Sequence, residues 1–535
     1  MVQTGRRASR MSRAPRHPSR RDVLRGVGVG GVMLATGACT RALWRRPRVA
    51  GAAPPAQLHL QFGADAAREM VASWATPEVV SRPRLRLGTA REGVGVTIPA
   101  ETRTYVDVQS GSEVFAHHAT MRDLEPGTAY VYEVLHDGAA PIAGDFVTAP
   151  AGRAPLRFTS FGDLSTPVPG DSIASSAWAG YVVDQVERLR PLFHLLNGDL
   201  CYANVSPDRV ATWAHFFENN SRSARHRPWM PAAGNHENER GNGPLGYYAY
   251  QTRFGLPDHG GEPEWRGLWY AFTAGAVRVV SLANDDVCYQ DGGDSYVRGY
   301  SGGAQRAWLE RMLAAARADP GIDWIVICMH QTAISSAHDA NGCDRGIREA
   351  FLPLFDRYGV DVVVCGHEHH YERSHPLRGA DRQGETLRPR AVASRTDVID
   401  TDAGTVHLVL GGGGTALLSN GRLWVPAHAR VIVGVGTRGP NGRLQPRYVE
   451  EDATAWSAVR DVAHPYGFAA FDVDPGTRPD GTTRLEVTYY NTVPSHEGSA
   501  MAFERFTLVR RRSDAAVSDA PGLERRGSVP RTQDL

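Results

Sequence analysis

Five apolar stretches in the middle of the chain each end in polar residues of the kinds that bind metals. An apolar run that stops at a Gly-Asp pair is typical of a buried parallel strand that brings a carboxylate to the edge of a sheet, where α/β folds place their chemistry. The five strand ends carry Gly162-Asp163, Gly198-Asp199, Gly234-Asn235-His236-Glu237, His330 and Gly366-His367-Glu368-His369. This pattern predicts an α/β fold with a polar site at one sheet edge.

The residue types at these strand ends favour a site for one or two transition-metal ions. Each Gly-Asp pair taken singly is more typical of an ordinary turn. Taken together, the ends supply carboxylate and amide oxygens with several imidazoles, which suits a metal centre better than a protein core. His367 and His369 lie two residues apart. A strand would therefore place both on one face, and a loop could wrap both around one centre.

A tyrosine three residues after the second Asp narrows the class of metal site. Tyr202 completes the pattern Gly198-Asp199-x-x-Tyr202, and Gly366-His367-Glu368-His369 continues as His370-Tyr371-Glu372-Arg373. The whole series resembles the motifs of the metallophosphoesterases. Because of Tyr202 it resembles specifically the purple acid phosphatases, which use this residue as a phenolate ligand to Fe(III). The resemblance covers about residues 57 to 495 and implies a four-layer α/β/β/α sandwich, with the metals at the edge between two sheets.

The same resemblance implies a binuclear centre of Fe(III) and a divalent ion, which is Zn, Fe or Mn. The implied ligands to Fe(III) are Asp163, Asp199, Tyr202 and His369. The implied ligands to the divalent ion are Asp199, Asn235, His330 and His367. Two cations held close together need a shared anionic oxygen, and Asp199 is the natural bridge between them.

The activity implied by the resemblance is that of an acid phosphatase, which hydrolyses small phosphate monoesters by attack of a metal-bound hydroxide. The leaving alkoxide needs a proton or a positive neighbour, and His236 and His338 are the catalytic candidates. His338 is equally well interpreted as an ordinary loop residue. Glu237 and Glu368 are expected to orient histidines or neighbouring loops from outside the ligand set.

Two other functions remain open from the sequence. A phosphodiesterase or phospholipase would use the same bimetallic core, because the core binds the phosphoryl group but does not select its second substituent. A non-catalytic binding or adhesion protein would carry the β-sandwich without bound metal. Assays with matched monoesters and diesters distinguish a phosphodiesterase or phospholipase from an acid phosphatase. A metal analysis distinguishes a non-catalytic binding protein from a metalloenzyme.

The basic residues exclude several classes of chemistry and divide the chain by charge. All 59 basic residues are Arg, and the absence of Lys excludes Schiff-base enzymes, Walker-type nucleotide loops and Ser-Lys hydrolases. Residues 1 to 48 hold twelve Arg and one Asp, a charge of +11. Since the whole chain has a net charge of +1, the remainder carries −10. An acidic remainder argues against nucleic-acid binding, which depends on neutralising phosphates.

The basic amino-terminal segment resembles a bacterial twin-arginine (Tat) export signal. Ser19-Arg20-Arg21-Asp22 precedes a short apolar, glycine-rich run from Val27 to Ala38. That run is too short to span a bilayer, so no permanent membrane span is expected. We therefore expect export by the Tat machinery to a secreted or cell-envelope location. Two alternatives are a lipoprotein modified at Cys39 and a disordered basic arm.

Composition and periodicity divide the chain into four parts. The expected parts are a signal and basic leader (1–52), an all-β domain that resembles fibronectin type III (57–149), an α/β domain that the resemblance assigns as the metallophosphoesterase catalytic domain (156–508) and a disordered tail (509–535). Helical spacing predicts helices over 175–190 and 303–318. Cys288 and Cys343 are the only pair that we consider for a disulfide. The sequence does not indicate an oligomeric state.

Overall fold

The computed structural model describes most of the chain from residue 53 to residue 515. The described ranges are 53–168, 170, 172–239, 246–290, 298–338, 341–440, 444–452, 454–476, 480–492 and 499–515. The expected signal, including Cys39 and the twin arginines, and residues 516–535 lie outside them. Within these ranges, no helix is both long enough and apolar enough to cross a membrane.

The amino-terminal domain is a sandwich of two four-stranded antiparallel sheets, with strand orders β1-β2-β6-β5 and β4-β3-β7-β8. The strands are β1 (Ala56–Phe62), β2 (Met70–Thr76), β3 (Arg84–Thr89), β4 (Val96–Pro99), β5 (Glu101–Val106), β6 (Glu113–Met121), β7 (Ala129–Leu135) and β8 (Ile142–Val147). Trp74 and Tyr132 are buried in its core. The Glu125 amide donates to the Tyr130 hydroxyl at 2.9 Å, the contact expected of a tyrosine corner.

The second part of the described chain contains two large mixed sheets of seven strands each, in the orders β11-β10-β9-β25-β26-β27-β20 and β12-β13-β14-β16-β21-β17-β24. The first comprises β9 (Leu156–Phe161), β10 (Phe193–Leu196), β11 (Trp229–Pro231), β20 (Val398–Asp400), β25 (Gly467–Asp474), β26 (Thr482–Asn491) and β27 (Met501–Arg511). The second comprises β12 (Tyr270–Ala274), β13 (Val277–Ser281), β14 (Trp324–Cys328), β16 (Val362–Cys365), β17 (Tyr371–Ser374), β21 (Val406–Leu410) and β24 (Ser457–Arg460). Smaller sheets are formed by β15 (Cys343–Asp344), β22 (Ala429–Arg438) and β23 (Leu444–Glu451), and by β18 (Leu377–Asp381) and β19 (Arg388–Ala391).

The two large sheets pack against each other through polar contacts as well as apolar side chains. The Trp324 indole donates to the Thr483 hydroxyl at 3.3 Å, which joins β14 to β26. The Asn197 side chain, just after β10, donates to the carbonyl of Cys365 in β16 at 3.2 Å. Strands β9, β10 and β11 are parallel, as are β13, β14, β16 and β21. The carboxyl ends of strands from both sheets therefore meet at one edge.

Helices lie against the outer faces of the two sheets, except the helix Tyr248–Arg253, which packs on the amino-terminal sandwich. They are α1 (Tyr181–Arg188), α2 (Arg209–Ala224), α3 (Tyr248–Arg253), α4 (Ala304–Ala318), α5 (Arg345–Ala350) and α6 (Leu352–Tyr358). Phe216 of α2 packs edge-on against Trp229 of the first sheet, and Phe355 of α6 lies against His407 of the second. The order of layers is therefore α/β/β/α. Helix α1 is shorter than the spacing over 175–190 predicts, because Gly180 adopts a left-handed backbone that ends the preceding turns.

Two expectations about the chain need correction. The prediction of a disordered tail from residue 509 is wrong for its first residues, because β27 continues to Arg511. Arg510 is retained there since its guanidinium lies 2.7 Å from the buried Asp361 carboxylate. Cys288 and Cys343 are not bonded to each other, since both are buried free thiols. The Cys343 sulfur instead accepts a hydrogen bond from the Ser335 amide.

Candidate metal centre

The polar residues that follow the strand ends converge on one place between the two sheets. Asn197 ties the ends together, since its side chain accepts from the Ser160 hydroxyl at 2.8 Å and donates to the Cys365 carbonyl at 3.2 Å. Position 366 requires glycine, because a Cβ there would lie 2.4 Å from an oxygen of Asp163. The close approach of three strand ends therefore explains both the asparagine at position 197 and the glycine at position 366.

A first group of donor atoms comes from Asp163, Tyr202 and His369. The Tyr202 hydroxyl lies 3.1 Å from Asp163 Oδ1 and 3.2 Å from His369 Nε2. His369 Nε2 in turn lies 3.1 Å from Asp163 Oδ1. Ligands about 2.1 Å from a six-coordinate cation are separated by about 3 Å, so this triangle has the dimensions of one face of a coordination shell.

A second group of donor atoms surrounds His330. Its Nε2 lies 2.9 Å from Asp199 Oδ2, 3.0 Å from Asn235 Oδ1 and 3.1 Å from His367 Nδ1. The ligand atoms of Asp199, His330 and His367 all lie within 4.8 Å of one another, and all three residues are buried. This group contains two imidazoles, one carboxylate and one neutral amide. The structure thus brings together all seven residues that the sequence predicts as ligands, in two adjacent groups.

The two carboxylates make this edge of the sheets a place that favours positive charge. Burial alone would lower the pKa of His330, but the adjacent Asp199 carboxylate outweighs it and raises that pKa to about 10. Asp163 acts in the same way on His369, whose pKa is raised although burial opposes the charged ring. Donors that stabilise an imidazolium to this extent also suit a bound cation.

Tyr202 places a stricter condition on such a cation. Burial, and then the negative charges of Asp163 and Asp199, raise the pKa of Tyr202 well above its ordinary value. A phenolate at this position would therefore need a neighbouring cation of high charge. The first donor group consequently suits a hard trivalent ion, whereas the two imidazoles and the amide of the second suit a softer divalent one.

Comparison with known proteins identifies the two parts of the fold. The model "Purple acid Phosphatase, N-terminal domain" matches residues 55–148, and the model "Calcineurin-like phosphoesterase" matches residues 157–371. An uncharacterized protein of Mycobacterium tuberculosis, Rv2577, is 56% identical over 498 residues, which are 91% of this chain and 93% of that protein. The chain belongs to the purple acid phosphatase family.

Other members of the family are more distant in sequence. The Fe(3+)-Zn(2+) purple acid phosphatase 12 of Arabidopsis thaliana is 26% identical over 374 residues, which are 68% of this chain and 72% of that protein. The structure of purple acid phosphatase PPD1 from yellow lupin seeds is 20% identical, with a TM-score of 0.62 over 89% of this chain and 78% of that chain. The predicted metallophosphoesterase sandwich with an amino-terminal all-β domain is therefore confirmed.

The two histidines considered as catalytic candidates lie in different surroundings. His236 is half-buried beside the first donor group: its ring centroid is 4.5 Å from that of Tyr202, and its backbone amide donates to Asp199 at 2.9 Å. Asn204 holds the ring through a contact of 2.7 Å to Nδ1. The ring of His338 instead packs against Trp424, with centroids 4.9 Å apart. His236 is therefore in direct contact with two predicted ligands, Asp199 and Tyr202.

Glu237 and Glu368 bind backbone amides around the centre. Glu237 accepts hydrogen bonds from the amides of Asp199, Leu200 and Gly234 at 2.8 to 2.9 Å, and so determines the course of the two loops that carry Asp199 and Asn235. Burial, followed by the Asp199 charge, raises the pKa of Glu237 to about 8. Glu368 accepts from the Gly342 amide, beyond the loop that follows His330. Both carboxylates support loops rather than the rings of the candidate ligand histidines.

Gln290 contacts a candidate ligand through its side chain and was not predicted from the sequence. Gln290 Oε1 lies 2.6 Å from His367 Nε2, the ring nitrogen that faces away from His330. In sequence, Gln290 belongs to a polar segment without helix or strand periodicity, and 77 residues separate it from His367. Contacts of this kind leave no local pattern, so only the folded arrangement reveals them.

Proposed function

We propose that the protein is an acid phosphatase that hydrolyses phosphate monoesters at a binuclear centre of Fe(III) and a divalent ion. One observation carries the proposal. A tyrosine hydroxyl, a carboxylate and an imidazole lie within 3.2 Å of one another, beside a second group of two imidazoles, an amide and a carboxylate. A relative with 26% identity is named for an Fe(3+)-Zn(2+) content, which supports the same pair of metals here.

In this proposal the ligands divide by chemical hardness. Asp163, Tyr202 and His369 would hold Fe(III), and Asn235, His330 and His367 would hold Zn, Fe or Mn. Asp199 would be shared, as the family resemblance implies: its Oδ2 contacts His330 in the second group, and its charge also acts on Tyr202 in the first. When bound, the two cations would supply charge neutralisation of the phosphate and activation of water.

The chain's own residues would protonate the leaving group and position the ligands. We assign to His236 the role of donating a proton to the departing alkoxide oxygen, because it is half-buried and lies beside Tyr202 and Asp199. Asn204 would orient the His236 ring. Glu237, through its contacts with three backbone amides, would hold the loop that carries Asp199 in position. His338, whose ring packs against Trp424, is the second candidate from the sequence for the role at the leaving group.

The cellular location belongs to the same proposal. We assign residues 1–52 to a Tat signal, with a secreted or cell-envelope destination for the folded enzyme. The twin arginines before a short apolar run support this assignment. The Tat pathway exports folded proteins, so the metal centre could be loaded before export. Lipid attachment at Cys39 would change the anchoring but not the route.

Matched substrates test the proposed activity directly. The full chain is assayed from pH 4 to pH 8 with 4-nitrophenyl phosphate and bis(4-nitrophenyl) phosphate, with Asp199→Ala as the inactive reference. We expect faster hydrolysis of the monoester, greatest in acid, and a loss of about 10³-fold or more in Asp199→Ala. Faster hydrolysis of the diester would assign the same core to a phosphodiesterase. Hydrolysis of neither ester by a metal-loaded protein would contradict the proposal.

A further inference from the structure

Histidines that bind a metal through one ring nitrogen usually donate the other N–H to an oxygen, which selects the tautomer and the ring orientation. Two candidate ligand histidines have this arrangement with backbone carbonyls. His330 Nδ1 lies 2.7 Å from the Asn197 carbonyl oxygen, and His369 Nδ1 contacts that of Leu417. In both rings the Nε2 atom therefore faces the donor group. A side-chain substitution cannot remove these carbonyl partners.

The third candidate ligand, His367, is held in the opposite sense and by a side chain. Its Nδ1 lies 3.1 Å from His330 Nε2 and so faces the second donor group. Its Nε2 lies 2.6 Å from Gln290 Oε1. If the Nε2–H donates to this oxygen, the proton is kept away from Nδ1, and Nδ1 retains the lone pair that a cation needs.

The orientation of the Gln290 amide follows from its other contacts. Its Nε2 donates to Asn341 Oδ1 at 3.0 Å, so its oxygen must be the atom that faces His367. Asn341 Nδ2 donates in turn to the backbone carbonyl of His367 at 3.2 Å. The two amides and His367 thus form a closed ring of hydrogen bonds. Exchanging the oxygen and nitrogen of Gln290 would break two of its contacts at once.

The backbone at Gln290 is also anchored. The amides of Tyr289 and Gln290 both donate to Asp344 Oδ2, at 2.8 and 3.0 Å. Asp344 is buried and caps α5, because its other oxygen accepts from the Gly346 amide at 2.7 Å. A helix start therefore holds the chain that presents the Gln290 oxygen to His367.

We propose that Gln290 is a positioning residue that holds His367 in the Nε2–H tautomer and so prepares its Nδ1 for the divalent cation. The inference rests on the proposed function, since it concerns the cation of the second donor group. Gln290 would thus contribute to the metal site by contacting a ligand, without touching the metal itself. The inference also predicts that the two donor groups respond differently to a change at position 290.

Zinc affinity measures this role without an activity assay. The full chain with iron in place and the divalent ion removed is titrated with Zn²⁺ in a calorimeter, as wild type and as Gln290→Leu. Leucine is similar in size but accepts no hydrogen bond, so we expect Zn²⁺ to bind about 10- to 100-fold more weakly. The visible band of the iron site should be unchanged, because His369 and Tyr202 do not contact Gln290.

Two further variants make the result specific. Gln290→Glu keeps an oxygen acceptor for His367. Its Zn²⁺ affinity should therefore be no more than about threefold weaker than that of wild type. Gln383→Leu makes the same chemical change at an exposed position and should not alter the affinity. Equal affinity of wild type and Gln290→Leu, or equal weakening in Gln290→Leu and Gln290→Glu, would overturn the inference. Absence of Zn²⁺, Fe²⁺ and Mn²⁺ binding by wild type would overturn the proposed function instead.

Discussion

Four candidate ligands have backbone conformations that are uncommon for residues other than glycine. Asp163, Asp199, Tyr202 and His367 have φ values of 62°, 51°, 57° and 71°. Such left-handed conformations cost free energy and persist where the surrounding structure requires them, often at functional sites. Here the Asp199 backbone is held by Glu237 and the His367 amide by Asp163. The residue types could be predicted from the sequence, but this geometry could not, because it is imposed by contacts between distant strand ends.

Tyr202 is the residue on which the resemblance to purple acid phosphatases, rather than to other two-metal phosphoesterases, depends. Tyr202→Phe keeps the ring beside His236 and removes the hydroxyl that contacts Asp163 and His369. We expect the variant to fold and to lose the visible phenolate-to-Fe(III) absorption of the oxidised protein. Hydrolysis should fall less than in Asp199→Ala, since the shared carboxylate would hold both ions. The measurements are a visible spectrum and initial rates.

The outcome separates a metal ligand from a structural tyrosine. A structural tyrosine predicts no visible band in wild type and no spectral change in Tyr202→Phe. A loss of thermal stability in the variant without a spectral change would have the same meaning. Asp199→Ala serves as the reference for loss of the shared ligand.

At the level of elements, α3 docks on the amino-terminal sandwich through two histidines whose charged forms are disfavoured by burial. His59 of β1 lies 3.0 Å from the Arg253 carbonyl and stacks on Phe217, and His118 of β6 lies 2.9 Å from the Thr252 carbonyl. Burial is the main cause that lowers the pKa of His59 to about 4. Burial also lowers that of His118 well below its ordinary value. Protonation in acid therefore opposes this interface.

The sign of the resulting pH dependence follows from linkage. His59 has a pKa of about 4 in the folded state and about 6.5 when unfolded, so the unfolded chain binds more protons and stability is lost as pH falls from 6.5 toward 4. His59→Gln cannot titrate and should reduce this loss by up to about 3 kcal/mol. We expect a shallower decline of the thermal midpoint between pH 7.5 and pH 4. An unchanged slope, equal to that of a His226→Gln control, would contradict this account.

The strand ends were predictable because each is a local signal, an apolar run followed by turn and ligand residues. The boundaries of helices and strands were less predictable. Helix α1 begins at Tyr181 because Gly180 adopts a left-handed backbone, and β27 reaches Arg511 because Asp361 binds Arg510. The segment that contains Gln290 has no periodicity of its own. Its role depends on Asp344, Asn341 and His367, which are distant in sequence, so no local pattern could reveal it.

At the level of the whole molecule, charge divides the chain into a leader of +11 and a remainder of −10. If the leader is a Tat signal, replacing Arg20 and Arg21 by Lys should leave the precursor in the cytoplasm, because the Tat receptor discriminates against that change. Replacing the pair that follows the apolar run, Arg45 and Arg46, by Lys is the matched control and should not affect export. Immunoblots of cytoplasmic and exported fractions give the result. Normal export of the Arg20 and Arg21 variant would refute the Tat assignment.

We propose that one chain holds two different metal ions, one of them iron bound by Tyr202. An anaerobic metal analysis of the full chain, with a visible spectrum recorded after oxidation, tests it most directly. We expect one iron and one divalent ion per chain, together with a tyrosinate absorption band. A colourless, iron-free protein that hydrolyses phosphoesters at full rate would contradict the claim and leave a two-metal phosphoesterase of another kind.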